Sequence, residues 1–533
     1  MTTTPGGASA PQSGTSLNAA RRARHIEQLE AAQAAGEPVD VLVIGGGVTG
    51  AGTALDAASR GLSVVLVEKH DLAFGTSRWS SKLVHGGLRY LAGGQVGIAH
   101  ESAVERGILI SRTAPHLVRA LPQIVPLYPG VNAMGALLTR AGLLAGDTLR
   151  AAARTSALTL PRSRRIAPVE VTRYAPSVRL DGLRGGLMGW DGQLTDDARL
   201  VVSLARTAAG HGAKILTRVA AGQVTGSGAV LTDTLTGRTL DIRARVVINA
   251  TGVWAGELAP GLRLRPSRGT HLVLSQRSFG AARTGPSGGL SGGLTSGLMV
   301  PVPGHFGRYV FALPAPDQRV YVGLTDEEAP GPIPDEPTAD ASEITFLLDT
   351  INLALATELT RGDVLGTYSG LRPLLDTGDA GTADISRRHQ VLTAPDGLIT
   401  VVGGKLTTYR RMAQDALDAA LARNPLRAGP CRTRDLPLVG AATPARLSLI
   451  PAPSRLLHRY GTEAPQVLAP ADPALHRPIS DATDTTAAEL LFAVRHEGAL
   501  DTADLLDRRT RIGLDPAARA TALDAAQAAL DAG

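Results

Sequence analysis

Apolar runs with no polar face, at 41–44 and 64–67, flank an alanine-rich stretch of helical character. Runs of this kind are strands covered on both sides, as in a parallel sheet joined by crossover helices. The pattern returns at 213–219, at 245–250 and at 398–402, so one sheet is left and resumed along the chain. Between these runs the period changes. PQIVPLY, after Leu121, and then SRGTHLVLSQ, GLMVPV, RYVFALPA and RVYVGLTD, between Pro266 and Asp326, read as short strands of an antiparallel sheet. A small meander is predicted over 224–242, with turns at Gly226-Ser227-Gly228 and Thr236-Gly237. Helices are predicted at 18–35, 98–113, 133–149 and 342–358, after Lys405, and beyond Asn424 at 454–460, 486–497 and 516–532.

The first two runs frame Gly45, Gly47 and Gly50 at GxGxxG spacing, with Glu68 closing the second strand 23 residues after Gly45. Gly45 serves the turn, Gly47 lets a pyrophosphate approach the backbone, and Gly50 lets the helix lie close to the sheet. The helix N-terminus then offers N–H groups and a favourable dipole to the phosphates. A carboxylate at Glu68 accepts both ribose hydroxyls, which favours FAD or NAD over NADP. Strand, turn and helix recur where 398–402 runs into Gly403-Gly404 and Lys405, and the strand ending at Ala250-Thr251-Gly252 supplies a further glycine corner.

Length and pattern give an α/β chain with a discontinuous Rossmann-like domain (38–120, 191–265 and 360–425) and an inserted antiparallel-sheet domain (121–190 and 266–359). A helical C-terminal domain (426–533) follows, and a polar tail with a leading helix (1–37) precedes them. The single Cys431 excludes an internal disulfide and is consistent with a reducing compartment. With no spanning run and no signal-peptide pattern, the expectation is a cytoplasmic protein. The helix at 134–144 is read as a core helix, with membrane-surface contact as the alternative. The net charge is +6, but it is scattered and aromatics are only 3%, so nucleic-acid binding is excluded. Of 54 basic residues only Lys69, Lys82, Lys214 and Lys405 are lysines, and three of these lie in the glycine-rich motifs. A retained lysine in an arginine-using chain hints that a compact ammonium is wanted.

The segment KHDLAFGTSRWSSKLVHGGLRYL is too polar for a core, and Thr76, Ser77, Ser80 and Ser81 read as hydroxyl donors to the cofactor. VLVIGGGVTGAGTALDAASRGLSVVLVEK, SSKLVHGGLRYL, DDARL, VVINATGVWA, RGTHLVL, YSGLRPL, GGKLTTYR, RHEGA and LDRRTRIGL occur in this order along nearly the whole chain. In this combination the sequence resembles the FAD-dependent glycerol-3-phosphate dehydrogenases. Trp79 departs from the family's pattern, where small residues are usual.

The resemblance implies a FAD-binding domain of the two-dinucleotide-fold, D-amino-acid-oxidase-like type. It implies oxidation of sn-glycerol 3-phosphate to dihydroxyacetone phosphate by hydride transfer from C2 to flavin N5, electrons passing to a membrane quinone. A quinone lives in the bilayer, so with no spanning run the alternative to a plain cytoplasmic protein is one held at the surface, peripheral on the inner face of the cell membrane. A homodimer is the assembly to test. That reaction needs a base for the C2 hydroxyl, cations for a dianionic phosphate and no metal. His85 and His271 are the candidate bases, His85 being favoured because the HGG turn carries it to the flavin. Arg89, Arg372 and Arg387 form the expected phosphate clamp, and Tyr90 supports the pocket or packs in the core. Lys405 is assigned to the reactive edge of the flavin, with Gly252, Gly404, Thr407 and Thr408 on the cofactor. The same motifs would serve an oxidase using oxygen. A non-catalytic flavoprotein or NAD-binding module is disfavoured by His85, Arg89, Arg372 and Lys405 occurring together.

Overall fold

The computed structural model describes residues 14–87, 95–129, 133–280, 293–305, 307–376 and 388–533. One sheet runs in the order Gln390–Thr393, Ile399–Val402, Thr239–Asn249, Val39–Ile44, Val64–Glu68, Lys214–Thr217, parallel from the second strand onward. Alternate residues of its central strands point to opposite faces, and both faces are covered. Val41, Val43, Val64 and Leu66 pack with the helices Val48–Ser59, Asp197–Gly210 and Tyr409–Arg423. Leu42, Ile44, Val65 and Val67 pack with Leu29 of the helix Ala19–Ala34 and with the meander Val219–Thr225, Gly228–Asp233. Two-sided burial is why these strands read as unbroken apolar runs.

The second sheet has ten strands and is antiparallel apart from the pairing of Gly297–Pro301 with Val118–Pro126. It corrects the expected boundaries. Val364–Arg372, placed by the sequence in the dinucleotide-binding domain, pairs along Ser267–Ser275, from Val364 against Leu274 to Arg372 against Ser267. Leu83–Val84 joins the same sheet at its far edge, and Gly186–Leu194 runs through the boundary expected at 190. Glycines hide the first of these strands, since Gly366 lies against the Leu514 carbonyl and Gly370 against Trp79, leaving no clean alternation.

The C-terminal region, with the helices Ser454–Tyr460, Ala487–Glu497 and Pro516–Asp531, is tied to the rest by buried ion pairs made from Glu497 and from the turn Asp504–Arg509. Arg508 and Arg509 both reach Asp71, and Glu497 pairs with Arg199. Asp71, Arg78 and Lys82 are therefore buried in a segment read from the sequence as too polar for a core. Their partners come from distant sequence, and a paired charge tolerates burial where a lone one does not.

Candidate active site

A cavity of about 950 Å³ opens where the carboxyl ends of the parallel strands meet the face of the ten-stranded sheet. That is the usual ligand crevice of an α/β sheet. Gly45, Gly47, Glu68, Gly252, Gly404, Lys405 and Thr407 line it from the parallel side, and His271 and Arg372 from the sheet, with Thr76, Ser77, Ser80, Ser81 and His85 between. Gly50 and Thr408 are not part of the lining. Arg89, Tyr90 and Arg387 lie outside the described residues.

The glycine turn fits a dinucleotide. Gly45 has φ +110°, and a Cβ there would sit 2.6 Å from the Ala250 carbonyl oxygen. A Cβ on Gly50 would sit 1.9 Å from the Gly45 carbonyl oxygen, so the helix Val48–Ser59 can approach only as glycine. Glu68 accepts from the Gly46 and His70 N–H groups, at 2.6 and 2.8 Å, which fixes its carboxylate at the strand end. Burial nevertheless raises its pKa. Gly404, at φ +74°, turns the chain beneath Lys405, where a Cβ would meet the Met412 sulfur.

The hydroxyl side chains build the wall as well as face the cavity. Thr76 donates to the Leu371 carbonyl (2.7 Å), and Ser77 Oγ accepts from the Val48 N–H at the helix start (2.9 Å). Ser80 donates to Asp197 (2.7 Å), and Ser81 Oγ bonds His271 Nε2 (2.8 Å). Thr408 donates to the Lys405 carbonyl (3.2 Å).

His271 is 1% exposed, stacked on Tyr368 with ring centroids 4.6 Å apart, and its Nδ1 has no partner among the described residues. Burial, with the Lys82 and Arg372 cations, holds its pKa well below that of an ordinary imidazole. It is a neutral ring with one nitrogen left to use. Lys82 lies 4.2 Å from the Tyr368 ring centroid and donates to the Ser80 carbonyl (2.9 Å). Burial lowers its pKa to about 8 although Asp197 opposes that shift. The scarcity of lysine had marked Lys82, but its place beneath Tyr368 depends on a strand far away in sequence.

Arg372 crosses Gly269 and donates to Ser267 Oγ (2.9 Å), Asp326 (3.0 Å) and the Thr325 carbonyl (3.1 Å). Its guanidinium is thereby held at the cavity edge. Lys405 Nζ donates to Ser102 Oγ (3.3 Å), and Asp191, also in the lining, pairs with Arg106 (2.6 Å). The sequence reading missed Ser102, Arg106, Asp191 and Tyr368. Each sits in an ordinary helix or strand pattern and acquires its place only through tertiary pairing.

The family model for FAD dependent oxidoreductases matches residues 40–410, and that for the C-terminal domain of alpha-glycerophosphate oxidase matches 431–532. The chain is 58% identical over 508 residues to glycerol-3-phosphate dehydrogenase 1 of Mycobacterium tuberculosis, covering 94% of this chain and 95% of that protein. It is 35% identical over 548 residues to the mitochondrial glycerol-3-phosphate dehydrogenase of Arabidopsis thaliana, covering 92% and 82%. The solved glycerol-3-phosphate dehydrogenase of Bacillus halodurans, complexed with FAD, superposes with a TM-score of 0.71 at 25% identity, covering 97% of this chain and 93% of that one.

Proposed function

The chain belongs to the FAD-dependent glycerol-3-phosphate dehydrogenase family, and from that premise we propose that it oxidises the C2 hydroxyl of sn-glycerol 3-phosphate to the ketone of dihydroxyacetone phosphate and passes the electrons to a quinone. The observation that carries this reading is the convergence of His85, His271, Arg372 and Lys405 on the cavity that the glycine turn opens into.

Bound FAD supplies the hydride acceptor. Gly45, Gly47 and the start of the helix Val48–Ser59 would hold its pyrophosphate, and Glu68 its ribose. His85 takes the C2 hydroxyl proton. His271 orients that hydroxyl through Nδ1, which suits a ring kept neutral by its surroundings. Arg372 binds the phosphate with its planar fork, together with Arg89 and Arg387, and Lys405 places positive charge at the reactive edge. Among the described residues no helix is long and apolar enough to cross a membrane, so the proposed quinone contact is made at the bilayer surface.

Anaerobic addition of glycerol 3-phosphate is expected to bleach the flavin absorbance, and a soluble quinone analogue to restore it faster than oxygen does. Stoichiometric peroxide in air with little quinone reduction would convert the reading to that of an oxidase. Arg372→Ala is expected to weaken glycerol 3-phosphate binding by about 1.5–3 kcal/mol, the range of a charge-assisted contact. That is roughly tenfold to a hundredfold in affinity. Glycerol, without the phosphate, should lose much less. Equal losses on the two substrates would remove Arg372 from the phosphate site.

A further inference from the structure

The helix Val96–Ile108 carries no residue that the reaction requires to touch substrate, yet three buried polar side chains on one of its faces reach the site's separate pieces. Ser102, Glu105 and Arg106 stand three and four residues apart, the spacing that puts side chains on one helical face. Ser102 Oγ accepts from Lys405 Nζ at 3.3 Å. Glu105 holds Arg410 through both oxygens, at 2.5 and 2.8 Å, at the start of the helix Tyr409–Arg423 that follows Lys405. Arg106 Nη1 donates to Asp191 Oδ1 at 2.6 Å, and the same oxygen accepts the Gly86 N–H at 3.0 Å.

Gly86 follows His85 directly and makes this contact. A Cβ on Gly86 would sit 2.4 Å from Arg106 Nη1, so the guanidinium packs on the bare backbone. Gly87 turns with φ +77°, in the left-handed region that favours glycine. The pair is costly to bury, because burial raises the Asp191 pKa even with Arg106 beside it. An apolar pair of the same volume would pack the helix at least as stably. What the ions add is a fixed direction: Asp191 on the strand Gly186–Leu194 is held where its oxygen can anchor the turn.

We propose that the helix Val96–Ile108 is a positioning element for the reaction, in which Arg106 acts through Asp191 to hold the His85-Gly86-Gly87 turn at the cavity while Ser102 holds Lys405. The inference rests on the dehydrogenase reading above. It places two groups that lie far apart in sequence under the control of one rigid helix. A misplacement on the order of 1 Å can cost about a hundredfold in rate.

Stopped-flow flavin reduction, expressed per bound flavin, and hydrogen exchange of the segment 83–87 test it together. Arg106→Met is expected to slow reduction roughly tenfold to a hundredfold while changing substrate affinity by less than about threefold, the signature of lost positioning. The same variant should speed exchange of the 83–87 amides with or without substrate, a readout that does not depend on turnover. Arg106→Lys keeps a cation on Asp191 and should recover most of both losses. A role in stability alone would reduce the yield of flavin-loaded protein and leave the rate per flavin intact, and that result overturns the proposal. If Arg106→Met fails to fold, Asp191→Asn decides, and wild-type rates with wild-type exchange in that variant reject it. Failure of the wild-type flavin to be reduced by glycerol 3-phosphate would instead reject the substrate reading, leaving the exchange measurement to judge the turn.

Discussion

His85→Ala is expected to slow flavin reduction at saturating glycerol 3-phosphate by about 10²–10⁴-fold, the contribution of a positioned general base. Substrate affinity should change little, because the proton leaves only as the transition state forms. His271 lines the same cavity, and the distinction between the two comes from environment. His271 is enclosed, faces Lys82 and Arg372, and has its pKa driven well below 6.5, so its protonated form is disfavoured where a base must become an acid. It is suited to bond a hydroxyl without taking the proton. His271→Asn should therefore weaken binding and slow reduction by a smaller factor than His85→Ala does. The pH profile gives a second check. His271 stays neutral through the neutral range, so whatever limb the profile shows there should persist in His271→Asn. Stopped-flow reduction rates from pH 5 to 9 read both effects, and an unchanged rate in His85→Ala would move the base to His271.

How far the site could be read from the sequence follows from how local each signal is. The glycine turn, Glu68 and Lys405 are set by a strand, a corner and a helix within a few residues, and their glycine spacing shows in the chain itself. Arg372 could be named from its motif, but its bonds to Ser267, Asp326 and Thr325 arise because Val364–Arg372 crosses into the other sheet. The serines illustrate a different limit. Their composition marks a polar wall, yet Ser80 and Ser81 are committed to Asp197 and His271, and no local pattern reveals that. Arg106 and Asp191 were invisible for the same reason, since each looks like ordinary punctuation in its own element. Periodicity assigns the elements, while pairing across more than eighty residues of chain assigns the chemistry.

Asp71→Asn is expected to destabilise the protein by about 3–5 kcal/mol, the cost of breaking a buried ion pair by removing one partner. Asp71 is fully buried and accepts from Arg509 at 2.7 and 2.9 Å and from Arg508 at 2.8 Å. Both arginines are buried as well, and the asparagine amide can replace only part of the acceptor capacity while removing the charge. The contact joins the C-terminal domain to the segment that leads into Ser77, Ser80 and Ser81, so its loss should loosen both. Burial alone would raise the Asp71 carboxyl, but Arg509 and Arg508 override it and hold its pKa well below 3.8. A carboxyl depressed in the folded state stabilises fully above its unfolded value and loses that contribution as pH falls through the folded one. The difference between wild type and Asp71→Asn should therefore be full at pH 7 and narrow as pH falls below about 4, where the unfolded carboxyl protonates. Because several domains are involved, one two-state midpoint is not sufficient. Urea unfolding read separately by bound-flavin fluorescence and by proteolysis of the C-terminal domain resolves the two halves. Asp71→Asn unfolding at wild-type urea concentrations at pH 7 by both probes would show that the two arginines find other partners, and the interdomain lock would have to be sought in Glu497 with Arg199.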